Sequence, residues 1–253
     1  MTGRLTHIVS VITAVHGPSA PYLADAHVSL TRQEMPPGWD WEWVVQEDGE
    51  SGDVRPHVPD DPRISFEQGR QGRAGMARTM ALARARGDFV KVLDADDMLT
   101  PGALLRDITT LTGHDGIAWT TSRVLDLLPD GSTVGFDGDP PRGPIARGAV
   151  LERWRTHDYR AQVHPATLCA RRDLVTALGG WMALPSSEDT GLLMALNAVS
   201  TGWFIDECGL LYRKWPGQST AQSAHHHDTE RRARMKIIES RAEALARLST
   251  WHP

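Results

Sequence analysis

Apolar residues along this chain gather in short β-branched runs, separated by longer segments with helical spacing. Ile8 to Ala14 is such a run and predicts a first buried strand. Pro21 to Gln33 carries a helical pattern that Pro36, Pro37 and Gly38 stop. Trp41 to Gln46 predicts the next strand, which runs into an acidic, glycine-bearing loop from Glu47 to Asp53. Arg63 to Glu67 reads as a short strand. Gly72 to Arg86 reads as a helix with alanines and leucine inside and arginines outside, closed by Gly87. Phe89 to Leu93 is nearly all apolar and predicts another buried strand. A helix over Pro101 to Leu111 follows, with Thr100 as its N-cap and Pro101 at the first position, and then a strand over Gly116 to Thr121. Strand and helix in this alternation predict parallel crossovers and a doubly wound sheet.

The texture changes after Thr121. Asp130, Gly131 and Ser132 mark a hairpin turn, and residues 137–144 form a loop rich in glycine and proline. Leu151 to Thr156 predicts a short helix and Ala161 to Ala170 a strand. Helical patterns follow at Arg172 to Leu178 and Asp189 to Ser200, short strands at Trp203 to Asp206 and Leu210 to Arg213, and a charged helix from Asp228 to Leu248. No low-complexity linker divides the chain, so the two halves are expected to share one sheet and one domain.

The segment Leu93-Asp94-Ala95-Asp96-Asp97 carries the sharpest chemistry. In an extended chain, side chains two apart point the same way, roughly 6–7 Å from each other. Two carboxylates that close repel unless something positive lies between them, and a hard divalent cation with open positions for phosphate fits. Ligands bind at the carboxyl ends of strands in such sheets. The plainer reading is a loop whose aspartates cap the next helix, but Thr100 already serves that cap.

Composition narrows the field. The 253 residues are 40% hydrophobic and 23% charged, as in an ordinary globular protein, and the formal charge of -5, without a basic block, argues against a nucleic-acid partner. No apolar run approaches the roughly 20 residues of a membrane span, and the polar Met1–His7 segment does not read as a signal peptide. Cys169 and Cys208 stand in unrelated contexts, which suits a reducing cytoplasm. Neither GxGxxG nor GxxxxGK[ST] occurs, which disfavours dinucleotide enzymes and P-loop NTPases.

From Ile8 to Thr220 the chain resembles a family 2 glycosyltransferase of the GT-A fold. The resemblance rests on six elements in order: the strand at Ile8 to Thr13; Val44 to Gly49, ending in two acids and glycine; the arginine-bearing helix from Gly72 to Gly87; Leu93 to Asp97, similar to the family's DxD metal motif; Gly179-Gly180-Trp181 with Glu188-Asp189; and Tyr212-Arg213. It implies a Rossmann-like nucleotide-sugar-binding half over about residues 1–121, a mixed acceptor and catalytic half over about 122–222, and a C-terminal loop and helix over 223–253, in a single GT-A domain. It also implies transfer of a hexosyl or N-acetylhexosaminyl group from a nucleotide donor, a UDP-sugar foremost, to a small-molecule or glycan acceptor with Mn²⁺ or Mg²⁺.

By this resemblance Asp96 is the metal ligand, and Asp94 meets the ribose or the metal across Ala95. Asp97 either shares the metal or supports the turn. Asp48 corresponds to the acid that reads the nucleobase, with Thr13 and Val15 lining base or ribose through backbone groups. Arg73 and Arg78 either reach the diphosphate, which a guanidinium matches bidentately, or form a solvated helix face. Asp189, beside Glu188, is the general base of an inverting displacement, or else the pair serves a helix N-terminus with Ser186 or Ser187 as cap. Trp181 is a wall for the sugar ring or a core residue, and His164 faces the acceptor or sits in the core.

Two positions depart from the family pattern. Thr79 follows Arg78 where asparagine is frequent, and Lys214-Trp215 stands where a metal-binding histidine is common. His225 and His227 lie close enough downstream to supply that ligand from a loop, and Arg213 and Lys214 to neutralise the diphosphate. Two other functions compete. A sugar-nucleotide nucleotidyltransferase needs a basic phosphate loop near the first strand, which His16-Gly17-Pro18-Ser19 does not offer. A non-catalytic sugar-nucleotide-binding protein has no need of both Asp96 and Asp189.

Overall fold

The computed structural model describes residues 7–218 and 228–248. In chain order the elements are β1 (His7–Val15), a 3-10 stretch (Gly17–Tyr22), α1 (Leu23–Thr31), β2 (Trp39–Asp48), β3 (Ile64–Gly69), α2 (Arg73–Leu82), β4 (Phe89–Val92), β5 (Met98–Leu99) and α3 (Ala103–Gly113). There follow β6 (Ile117–Leu127), β7 (Thr133–Val134), β8 (Gly143–Ile145), α4 (Ala149–Thr156), β9 (Cys169–Arg171), α5 (Arg172–Ala177), α6 (Glu188–Val199), β10 (Thr201–Arg213) and α7 (Asp228–Leu248).

The strands form one sheet in the order β3-β2-β1-β4-β9-β6-β10-β5, with β7 added to β6 and β8 to β10. The long pairings, β1 with β2 and β4, β2 with β3, and β6 with β10, are all parallel. The short strands β5, β7, β8 and β9 pair antiparallel. This is the expected mostly parallel α/β sheet with a mixed second half. Strand β6 crosses the change of texture at Thr121, so the sheet continues from one half into the other.

The period of two along each strand assigns residues to faces. Val11, Val45 and Phe89 pack with Leu23, Leu30, Leu104 and Ile108, which come from α1 and α3. Their neighbours Ile12, Val44 and Val90 pack on the other face with Ala81, Leu192, Leu193, Leu196 and Ile238, from α2, α6 and α7. Both faces are therefore covered, as a parallel sheet requires.

Three expected elements differ. Helix α3 begins at Ala103 behind Gly102, which takes φ 73°, and Thr100 and Pro101 lie outside it. Thr100 is drawn away because its hydroxyl donates to the Cys208 carbonyl and the preceding Met98 and Leu99 pair with β10. Ala161 to Ala170 is not a strand: Pro165 opens a 3-10 turn over Pro165–Thr167, and only Cys169–Arg171 joins the sheet. The two short strands expected between Trp203 and Arg213 are one strand, whose register shifts on either side of Cys208 absorb the interruption.

Candidate active site

Strand β4 stops at Val92, and the Asp97 N–H closes a turn onto the Asp94 carbonyl at 3.1 Å. The aspartates thus sit on a tight turn rather than along an extended strand. Asp94 and Asp96 nevertheless open into one cleft of about 630 Å³. Val15 and His16 line it from the end of β1, Asp48 from the end of β2, Arg73 and Arg78 from α2, and Glu188 and Asp189 from α6. Ala95, His164, Tyr212 and Trp215 are also part of its wall.

Arg78 holds the two acidic ends of this cleft together. Its guanidinium donates to Asp94 Oδ1 at 2.5 Å and to Glu188 Oε1 at 2.7 Å, and the residue is 5% exposed. Burial works against its charge, but Asp94, Glu188 and Asp189 outweigh it and hold the proton more firmly than usual. The bridge depends on close approach of α2 to the loop before α6. A Cβ on Gly75 would stand 2.6 Å from the Met182 carbonyl and 3.0 Å from Glu188 Cβ. Thr79, in the place of the frequent asparagine, pins the same loop by accepting the Trp181 N–H at 3.0 Å.

Helix α6 starts from Ser187 in a left-handed conformation (φ 65°), a costly one for a residue with a side chain. Ser187 is thus the N-cap position, but its hydroxyl makes no cap bond. The turn places Glu188 and Asp189 at the helix N-terminus, where partial positive charge favours anions. Asp189 Oδ1 accepts the Thr190 N–H at 2.6 Å. Burial raises the pKa of both acids, with Asp189 adding to the rise at Glu188, and Arg78 opposes it in each. Burial, with repulsion from Asp94, likewise raises Asp96, against the Trp215 indole that donates to its Oδ2 at 2.6 Å. Asp97 is driven well above the carboxylate range by burial and by Asp94 and Asp96. It accepts the Arg213 N–H on Oδ1 at 2.9 Å, while its buried Oδ2 has no partner.

Among the described residues, no three His, Cys, Asp or Glu side chains are grouped so as to hold a metal ion by themselves. Two raised carboxyls and an orphaned carboxylate oxygen at the end of β4 do form a site short of positive charge. That fits a Mg²⁺ or Mn²⁺ ion held by one or two carboxylates with the rest of its shell supplied by substrate phosphates.

Four expected donor contacts fall outside the cleft. The Thr13 hydroxyl donates to the Leu93 carbonyl at 2.6 Å and accepts from Trp43 at 2.8 Å, so its side chain is structural. Trp181 is buried and lines a neighbouring apolar pocket of about 300 Å³ that also touches Arg73. Arg213 is committed to the Asp96 carbonyl at 2.8 Å and to Asp25 at 2.7 Å, and Lys214 pairs with Asp126 at 3.1 Å. Asp48 lines the cleft while its Oδ1 accepts the Gly72 N–H at 2.6 Å. His225 and His227 lie outside the described residues. His16 was missed by the sequence reading, although its position directly after the first strand is a ligand-facing one.

Residues 10–124 match the family model described as Glycosyl transferase family 2. The O-antigen biosynthesis protein RfbC of Myxococcus xanthus is 30% identical over 106 residues, which are 38% of this chain and 8% of that protein. The matched segment is therefore a small part of the curated relative. Among solved structures, S. aureus TarS in complex with UDP aligns with a TM-score of 0.65 at 17% identity, over 94% of this chain and 69% of that one. TarS in complex with UDP-GlcNAc gives 0.65 at 19% identity, over 94% and 70%. At these identities the likeness speaks for the fold, and the fold is the GT-A type expected from the sequence.

Proposed function

We propose that this chain, whose residues 10–124 match the model of glycosyl transferase family 2, transfers a sugar from a nucleoside-diphosphate donor to an acceptor hydroxyl or amine. One observation carries the reading: the acids after β4 and the acids opening α6 face a single cleft and are joined by Arg78. A donor diphosphate placed at Asp96 then has a carboxylate base across the same cleft.

In this reading Asp96 and Asp94 would hold a Mn²⁺ or Mg²⁺ ion, and the chemistry it would supply is neutralisation of charge on a diphosphate leaving group. Arg73, exposed on the cleft lining, meets the phosphates with its guanidinium. Arg78 keeps Asp94 and Glu188 in place rather than serving the phosphates directly. Asp189 takes the proton from the acceptor nucleophile as it attacks the anomeric carbon, and the bond to the diphosphate breaks on the opposite face, with inversion. Uracil is the favoured base, supported by Asp48 at the end of β2 and by the fold shared with UDP-bound TarS. The transferred group is a hexosyl or N-acetylhexosaminyl unit.

The deciding experiment is a thermal-shift screen with UDP-, GDP- and dTDP-sugars, with and without Mn²⁺, followed by product detection with the responding donor. A ligand that binds only the native state raises the melting temperature. A rise confined to the uridine donors and dependent on Mn²⁺ is expected. No rise with any of the donors would sink the proposal.

A further inference from the structure

Beyond Arg213 the chain folds back across the aspartate turn and places Trp215 directly on Asp96. The indole Nε1–H donates to Asp96 Oδ2 at 2.6 Å. Three features hold the ring there. The Gln218 N–H closes a turn onto the Trp215 carbonyl at 3.2 Å. Gly217 lies against the indole, where a Cβ would come within 1.9 Å of the ring, so only glycine leaves room for it. Tyr22 packs against it with ring centroids 5.2 Å apart. Arg213 fastens the start of the segment through its backbone bond to Asp97 and its side-chain bonds to the Asp96 carbonyl and Asp25.

An indole N–H donates and has no lone pair to offer, so Trp215 cannot ligate a cation. It can fix the carboxylate that does. We propose that Trp215 is a positioning residue for Asp96: by holding one carboxylate oxygen it presents the other to a divalent cation bound together with a nucleoside diphosphate. The inference rests on the reading of Asp96 as the cation ligand, and it gives the tryptophan that replaces the expected imidazole a role of its own. Partners that orient a metal ligand are worth about 10–100-fold in metal affinity.

The test is Mn²⁺ binding to the whole chain in the presence of UDP, read by the electron paramagnetic resonance signal of free Mn²⁺, with UDP binding measured separately without metal. Trp215→Phe keeps a ring and loses the N–H. Gly217→Ala leaves Trp215 in the sequence but forces the indole off its seat, and it carries the test should Trp215→Phe fail to fold. Each is expected to weaken Mn²⁺ binding by about tenfold or more while metal-free UDP binding stays at the wild-type value. Wild-type Mn²⁺ affinity in both variants would overturn the proposal. So would an equal loss of metal-free UDP binding, which would mean that Trp215 acts on the nucleotide instead. Failure of the wild type itself to bind Mn²⁺ with UDP would remove the reading of Asp96 on which the proposal rests.

Discussion

Asp189 and Arg78 show how single side chains set the chemistry of the cleft. Asp189 is useful as a base only when ionised, and burial raises its pKa against the pull of Arg78. The acid limb of kcat/KM should therefore lie above the ordinary aspartate value of about 3.9, with the rate falling about tenfold per pH unit below it. Asp189→Asn should lower kcat by about 10²–10⁴-fold and leave donor binding in place, measured by turnover beside calorimetric donor titration. Normal turnover in that variant would reassign the base. Arg78→Ala strips the buried charge that bridges the buried Glu188 and the part-buried Asp94, and breaking such a group costs about 3–5 kcal/mol. Urea unfolding should show that loss. In any folded fraction the acid limb should move to higher pH, because the cation that lowers Glu188 and Asp189 is gone.

Elements bring these residues together through contacts that leave no room for side chains. Gly75 is one such point, since its missing Cβ lets α2 reach the loop before α6. The atom in the way is the Met182 carbonyl, which is backbone and cannot rotate aside. Gly75→Ala should cost about 1–3 kcal/mol in urea unfolding and lower kcat by displacing Glu188 and Asp189. An unchanged kcat would show that the α6 N-terminus tolerates the shift. Element positions were legible where one period dominated: β1, β2, β4 and α7 fall where their patterns put them. They were not legible where a distant strand decided. Thr100 looks like a helix cap until β10 offers it the Cys208 carbonyl, and the bulge at Cys208 that joins two apparent strands is set by pairing with β6. The acids of the cleft could be named from motif residues, but Arg78 as their bridge and Trp215 as the donor to Asp96 required the fold. Their partners lie 110 and 119 positions away in sequence.

At the scale of the molecule, the two halves of the sheet meet at β4, β9 and β6, and a buried polar network lies under that junction. Lys91 on β4 is fully buried and donates to Asp107 Oδ2 on α3 and to the Thr167 carbonyl, each at 2.7 Å. Asp107 Oδ1 accepts from Thr120 on β6 at 2.7 Å, and Thr167 Oγ1 accepts the Ser122 N–H at 3.1 Å. The network therefore ties both halves to the 3-10 turn whose His164, Pro165 and Ala166 wall the cleft. A lone charge buried there is expensive, whereas an apolar pair of similar volume loses little. Asp107→Leu alone should destabilise the chain by about 3–5 kcal/mol, because Lys91 is left uncompensated. Lys91→Met combined with Asp107→Leu should recover most of that loss in urea unfolding, and it separates stability from function. If the ion pair serves only packing, the double variant should also regain wild-type kcat. If it holds the cleft wall through the Thr167 carbonyl, stability should return while donor KM stays raised. The second outcome is expected, since methionine offers Thr167 no donor and the turn bearing His164 and Ala166 loses the bond that positions it.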